Sequence, residues 1–189
     1  MNIGVLSLQG AFLKHMQLLK QIGVNPIQVR YEKDLLNLHG LIIPGGESTV
    51  LSKLIMRQSL YEPMEKFISK YPVYGTCAGL ILLSKIIENN KIVKSFEKLD
   101  ISVKRNAWGR QINSFITNLD IKEFGKPFKG IFIRAPKINK VSPKVDVLSS
   151  FNDNPVMIRQ QNFLGTTFHP ELSNDYRIHK YFIGMVQEC

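Results

Sequence analysis

The chain is short of cysteine, of long apolar runs and of acidic residues, and each shortage removes a class of protein. Cys77 and Cys189 are the only two cysteines among 189 residues. A disulfide-built scaffold needs more. Cys189 is the last residue, where chain ends fray, so no Cys77–Cys189 bridge is expected. The cysteine usage fits a reducing compartment, and a cytoplasmic location is the expectation. No apolar stretch nears the roughly 20 residues that a bilayer-spanning helix requires. Met1-Asn2-Ile3-Gly4-Val5-Leu6 runs straight into a strand without a basic lead-in, so no signal peptide is expected. Acidic residues number 15 against 25 Lys and Arg, a net charge of +10. The lysines are spread out, with no run of five or six and no nucleic-acid motif. A solvated basic surface is the reading, one able to guide docking onto an acidic protein face. His15, His39 and His179 do not pair with Cys, Asp or Glu at ligand spacing, so no metal and no cofactor is expected. His15 falls on the first helix, where a surface or edge position is expected.

What the chain does contain is a full core, at 44% hydrophobic residues, and a clear alternation of strand and helix. Apolar runs at Ile3–Leu8, Val24–Val29, Leu41–Ile43 and Val73–Tyr74 suit buried parallel strands. Between them lie helical stretches at Ala11–Ile22, Ser48–Gln58 and Tyr61–Lys70. The first carries Phe12, Met16 and Leu19 at helical spacing and stops at Gly23. From Leu99 onward short β-like runs follow one another and are expected to extend the sheet and fold loops over one end. A polar turn is expected over Lys122–Lys129. A final helix spans Asn174–Val186, with Ile178, Phe182 and Met185 on one face and Ser173 or Asn174 as its cap. No repeat, low-complexity tract or linker interrupts this pattern. The expected fold is α/β: a single three-layer, doubly wound domain over residues 1–189 with a mostly parallel central sheet.

Chemistry concentrates at three places. In Gly75-Thr76-Cys77-Ala78-Gly79, a strand turns sharply into an apolar helix with Cys77 at the apex. This is the Gly-x-nucleophile-x-Gly elbow with sulfur as nucleophile. A helix N-terminus with unpaired N–H groups favours a thiolate there. Pro44-Gly45-Gly46-Glu47-Ser48 follows the third strand and opens a helix. It reads either as a turn capped by Ser48, with glycines at positive φ, or as a source of a backbone N–H that pairs with the N–H of Ala78 on an oxyanion. It lacks Gly-x-x-x-x-Gly-Lys and is no phosphate loop. Phe168-His169-Pro170-Glu171 follows the last strand. In an extended segment, His169 and Glu171 project to one side, so Glu171 can orient His169 while the other ring nitrogen faces Cys77. Open α/β sheets bind ligands at the carboxyl ends of their strands, and all three pieces end strands. Trp108 reads as a packed loop aromatic. Arg105 reads equally as a solvated charge or a carboxylate clamp.

Together the motifs resemble the class I, or triad, glutamine amidotransferases, and within them the glutaminase subunits of pyridoxal 5′-phosphate synthase. The resemblance spans nearly the whole chain. It rests on Gly4-Val5-Leu6-Ser7-Leu8-Gln9-Gly10-Ala11, Leu41-Ile42-Ile43-Pro44-Gly45-Gly46-Glu47-Ser48-Thr49 and the Cys77 elbow. It rests also on Arg105-Asn106 with Gly109-Arg110-Gln111, Ile133-Arg134-Ala135-Pro136 and Phe168-His169-Pro170-Glu171-Leu172. It implies a Cys77–His169–Glu171 triad and glutamine contacts from Gly46, Glu47, Ser48, Arg105, Ile133 and Arg134. It implies oxyanion donors at Gly46 and Ala78, with Gln9 a nearby residue that responds to partner docking. Its partners are L-glutamine and a synthase subunit in a large hetero-oligomer, which takes up the ammonia to build pyridoxal 5′-phosphate from a pentose phosphate and a triose phosphate. No nucleic acid and no membrane enters this picture. Ala107-Trp108 and Val50-Leu51-Ser52-Lys53 depart from the family pattern, the latter on a helix face expected to bear on docking. The competing readings are a glutaminase serving another synthase, a cysteine peptidase or related hydrolase on a similar sheet, and a basic nucleic-acid-binding module.

Overall fold

A computed structural model describes residues 1–107 and 114–189. In chain order the first half comprises β1 (Asn2–Leu6), α1 (Phe12–Gln21), β2 (Asn25–Val29), β3 (Gly40–Ile43), α2 (Ser48–Arg57), α3 (Tyr61–Ile68), β4 (Val73–Thr76) and α4 (Ala78–Leu83). There follow β5 (Ser84–Ile87), β6 (Leu99–Lys104), β7 (Ser114–Leu119), β8 (Phe128–Ile133), β9 (Lys137–Val141), β10 (Asp146–Phe151), β11 (Asn154–Gln160), β12 (Phe163–Thr166) and α5 (Arg177–Gln187). Among the described residues the main sheet has seven strands in the order β10-β11-β12-β4-β3-β1-β2. The ladders joining β12, β4, β3, β1 and β2 are parallel, and those of β10 with β11 and of β11 with β12 are antiparallel. The α/β fold with a mostly parallel sheet is thus as the sequence led one to expect.

Side chains alternate across the sheet with the period of a strand. Leu6, Leu41, Ile43 and Val73 face one layer, where they meet Leu51 and Ile55 of α2, Met64 and Phe67 of α3, and Leu80 of α4. Ile3, Val5, Ile42 and Tyr74 face the other, with Leu19 of α1 and Ile178, Phe182 and Met185 of α5. Both faces of the central strands are therefore dry, which is why their sequences read as unbroken apolar runs. Each fully buried aliphatic or aromatic side chain contributes about 1.5–3 kcal/mol. Helix α4 is buried along its whole length, as a helix apolar on every side must be.

Three expectations for the second half need correction. Among the described residues of this half, only β10, β11 and β12 extend the main sheet; β5-β6-β9 form a separate three-stranded sheet and β7-β8 a hairpin. An apolar alternation specifies a strand but not its neighbour. The polar turn is shorter than expected, because Phe128 opens β8 and is fully buried. The last helix starts later, at Arg177. Tyr176 is its N-cap without a side-chain bond, and Asn174 lies at φ +56° outside it. Asp175 performs the capping: its carboxylate accepts from the Arg177 backbone N–H at 3.0 Å and ion-pairs the Arg177 guanidinium. That guanidinium also donates to the carbonyls of Lys126 and Pro127, which ties the approach to β8 to the helix start.

Two glycines define opposite tolerances. A Cβ on Gly79 would lie 2.0 Å from the Ile43 carbonyl oxygen, because the first turn of α4 is pressed against the end of β3. On Gly184, in α5, a Cβ meets nothing within 4 Å. Gly79→Ala is expected to destabilise by at least about 2–3 kcal/mol. Gly184→Ala is expected to stabilise by about 0.5–1 kcal/mol and raise Tm by a few degrees. Thermal unfolding of both variants checks the pair.

Candidate active site

Four neighbouring strands of the parallel sheet end at one rim, and their loops build a cleft. β4 pairs with β12 in register Thr76↔Thr166, and the Cys77 N–H continues the ladder to the Thr166 carbonyl at 2.8 Å. Cys77 follows β4 and His169 follows β12, so this pairing brings together residues from distant parts of the chain. On the other flank of β4, β3 delivers Pro44-Gly45-Gly46. Beyond it, β1 delivers Gln9. The cleft, about 540 Å³, is lined by residues that include Gly46, Glu47, Ser48, Cys77, Arg105, Ile133, Arg134 and His169.

Cys77 sits at φ +48°, ψ −99°, a conformation that costs energy for any residue with a side chain. The turn is held by close packing on both sides. A Cβ on Gly75 would strike the Gly79 backbone at 2.6 Å. Cys77 is 5% exposed and lines the cleft. His169 Nδ1 lies 2.7 Å from Glu171 Oε1, and the imidazole is close enough to Cys77 to interact with it. With Nδ1 taken by the carboxylate, Nε2 is left for the sulfur. Burial lowers the pKa of His169, but its bonds to Cys77 and Glu171 outweigh burial and push it up to about 10. Burial raises the pKa of Glu171, yet the His15 and His169 imidazoles hold it below the usual carboxylate range.

The His169–Glu171 pairing survives a change in local geometry. Pro170–Leu172 is a 3-10 turn with His169 as its N-cap at φ −107°, ψ 85°, so the segment is not extended as the sequence suggested. Proline fits the first position of such a turn. The turn folds Glu171 back beneath the ring. The His169 N–H bonds the Ile131 carbonyl at 2.8 Å, which joins this turn to the β7–β8 hairpin carrying Ile133 and Arg134.

On the β3 side, Glu47 rather than Ser48 caps α2. Its carboxylate accepts from the N–H groups of Thr49 and Val50 at 3.0 and 2.7 Å. Burial raises its pKa, but these bonds bring it below the ordinary value. Of the glycines in this turn only Gly46 has positive φ, at +157°. Ser48 lies under the cleft, 3.4 Å from the Arg105 guanidinium, which donates to Thr49 Oγ1 at 2.7 Å. Arg105 is therefore anchored at the cleft wall, not loose in solvent. Gln9 packs against Gly46, and its amide donates to the Glu47 carbonyl at 3.0 Å. Ala78 is buried at the start of α4. Thr49, the Arg105 anchor, was legible only as part of the motif around it. Trp108 and the Gly109-Arg110-Gln111 segment lie outside the described residues.

His15 is the clearest miss. It is fully buried, with Nδ1 2.9 Å from His179 Nε2 and Nε2 3.4 Å from Glu171 Oε2. The signal was in the helical period, since position 15 belongs to the stripe through Phe12, Met16 and Leu19. Among the described residues, no three His, Cys, Asp or Glu side chains are placed to hold a metal ion. No helix among them is long and apolar enough to cross a membrane.

Comparison with known proteins bears on the family and the fold. The model of the SNO glutamine amidotransferase family matches residues 5–188. The chain belongs to the SNO glutamine amidotransferase family. The protein of Fervidobacterium nodosum called pyridoxal 5′-phosphate synthase subunit PdxT is 50% identical over 189 residues, covering 100% of this chain and 98% of that one. The protein of the same name from Carboxydothermus hydrogenoformans is 49% identical over 188 residues, covering 98% of each. Among solved structures, a glutamine amidotransferase of 39% identity superposes with a TM-score of 0.93 over 98% of both chains. A glutamine amidotransferase of Thermotoga maritima, at 13% identity and TM-score 0.63 over 100% of this chain and 83% of that one, shares the fold.

In this amidotransferase the raised pKa of His169 has a measurable consequence. A folded pKa above the unfolded value of about 6.5 makes the charged ring stabilising. That contribution is fully present below about pH 6.5 and is lost as pH rises through about 10. The Tm advantage of the native protein over His169→Gln is expected to be greatest near pH 6 and to shrink steadily toward pH 10. Scanning calorimetry across that range checks it; a constant difference would contradict the assignment.

Proposed function

We propose that the chain hydrolyses L-glutamine to L-glutamate and ammonia through a thioester on Cys77, and passes the ammonia to a partner pyridoxal 5′-phosphate synthase. The observation that carries this reading is that Cys77 and His169 line one cleft at the sheet's carboxyl edge, with Glu171 hydrogen-bonded to His169 behind it. The Cys77 thiolate attacks the side-chain carboxamide carbon. The C–O π electrons move onto oxygen, and the backbone N–H groups of Gly46 and Ala78 receive the oxyanion. His169, in its imidazolium form, gives its proton to the departing nitrogen, the C–N bond breaks, and ammonia leaves. The neutral ring then takes a proton from water as that water attacks the thioester. The proton returns to sulfur as glutamate departs. Glu171 holds the ring and balances its charge throughout.

The remaining cleft residues suit an amino acid. Arg105 and Arg134 supply positive charge for the α-carboxylate, Glu47 supplies negative charge for the α-ammonium, and Ser48 and Ile133 complete the wall. The destination of ammonia rests on the name borne by relatives that align over essentially their whole length. A reducing, cytoplasmic setting suits a reaction that needs Cys77 as a free thiol.

Cys77→Ala is expected to lower glutamate release by on the order of 10⁶-fold when the partner synthase is present. A coupled glutamate assay reads it, and undiminished turnover would end this reading. Labelling of Cys77 by a glutamine-like electrophile, suppressed by glutamine, separates a glutaminase from a peptidase. The bracing of the Gly46–Glu47 turn by Gln9 supports a further expectation: the isolated chain turns over slowly, and docking of the partner synthase speeds it. Equal rates with and without that partner would refute this dependence.

A further inference from the structure

Behind the triad lies a buried pair of imidazoles that the reaction above leaves unused. His15 from α1 and His179 from α5 are both fully buried, and they meet at 2.9 Å beneath Glu171. The other titratable groups facing this pocket are His169, Glu171 and Tyr74. The Tyr74 hydroxyl lies 3.1 Å from Thr166 Oγ1. Glu171 uses Oε1 on His169, whereas its buried Oε2 has no hydrogen-bond partner among the described residues. His15 Nε2 lies 3.4 Å from that oxygen and 3.5 Å from the Thr76 hydroxyl. A buried carboxylate oxygen left without a donor is costly. Hydrogen bonds at a resting active site are often long and tighten during the reaction.

The tautomers follow from counting donors. Burial pulls both imidazoles toward the neutral form, His179 to about 3. Each neutral ring then has one N–H and one bare nitrogen. Suppose His15 carries its proton on Nδ1. Its bare Nε2 could then accept only a long bond from the Thr76 hydroxyl while turning a lone pair toward the Glu171 carboxylate, and His179 would be left with a buried Nδ1–H that has no acceptor. With both protons on Nε2, His179 donates to His15 Nδ1 and His15 donates toward Glu171 Oε2. The atom left unpaired is then a bare nitrogen, His179 Nδ1, which costs less than a stranded N–H or a lone pair against a carboxylate.

Building on the Cys77–His169–Glu171 reading, we propose that His15, oriented by His179, is a positioning residue for the reaction. Its Nε2–H holds the second oxygen of Glu171, and the carboxylate fixed at both oxygens keeps the His169 ring aligned on the Cys77 sulfur. His15 touches neither substrate nor sulfur; it acts through Glu171.

Two measurements test this. In the full chain assayed with the partner synthase, His15→Phe removes the donor while keeping a ring. It is expected to lower kcat about 10- to 100-fold with KM for glutamine changed less than about twofold. The acid limb of the pH profile should move up, because Glu171 then protonates more readily. His15→Gln, whose amide nitrogen reaches the place of Nε2, is expected to recover most of the rate and return the limb. A His15→Phe rate within about twofold of native overturns the proposal. Equal impairment of both variants with an unmoved acid limb also overturns it, since that is the mark of packing alone. The second measurement needs no variant to fold. In the native chain with ¹⁵N-labelled histidine, His15 and His179 should both appear neutral with the proton on Nε2 from about pH 7 to 8. A proton on Nδ1 of His15 overturns the proposal. Persistent activity in Cys77→Ala would discredit the triad itself, leaving the tautomer measurement to judge the imidazole pair.

Discussion

The parallel pairing of β4 with β12 is the constraint from which the site follows. Its register sets Thr76 beside Thr166, and Cys77 donates back into the same ladder. A one-residue slip in a strand turns every side chain to the other face. Here it would exchange Tyr74, which belongs to the α1/α5 layer, with Val73, which belongs to the α2/α3/α4 layer. The dry cores on both sides therefore hold the register, and the register holds the sulfur next to the imidazole. Core packing and catalytic geometry are one problem in this fold.

The strained residue at the turn is supported by that packing. Cys77 at φ +48° is tolerated because its neighbours leave the chain no other course. Gly79 is in contact with the end of β3 and Gly75 with Gly79. The same crowding places the Gly45–Gly46 turn against the His169 ring and the Gln9 amide. Gly75 and Gly79 are required where two backbones meet, and Gly45 and Gly46 where the turn presses on the His169 and Gln9 side chains. A site made in this way is preorganised, since its dipoles need not reorient when charge develops on the substrate.

Electrostatics run from the cleft inward. At the surface, Arg105 is tied to Ser48 and Thr49 and faces the substrate space. One layer deeper, His169 is charged by its acidic neighbours in spite of burial. Deeper still, burial pulls His15 and His179 toward the neutral form. The Glu171 carboxylate is held at one oxygen by His169, with His15 lying 3.4 Å from the other. Helices α1 and α5 pack on the face of the sheet that supplies those two rings, so the layer that stabilises the fold also backs the triad.

Much of this was readable from the chain because its signals are local. The apolar runs at residues 3–6, 41–43 and 73–74 showed buried strands, since both faces of a parallel sheet are covered. Gly75-x-Cys77-x-Gly79 showed the elbow because only glycine fits beside so sharp a turn, and His169-Pro170-Glu171 showed a base beside its orienting acid. What stayed hidden depended on neighbours far along the chain. The runs of the second half could not declare whether they would join the main sheet or form β5-β6-β9 and β7-β8, because apolar periodicity carries no label for its partner strand. Asp175 replaced Ser173 and Asn174 as the cap because Arg177 was drawn to the Lys126 and Pro127 carbonyls. His15 looked like an edge residue because its burial depends on α5, which the chain reaches only near its end. By itself, then, the sequence determined the proposed reacting groups and the order of strands and turns that present them. Only the tertiary structure decided which buried groups stand behind them, because contact between α1, α5 and the turn after β12 is a property of packing and leaves no local mark.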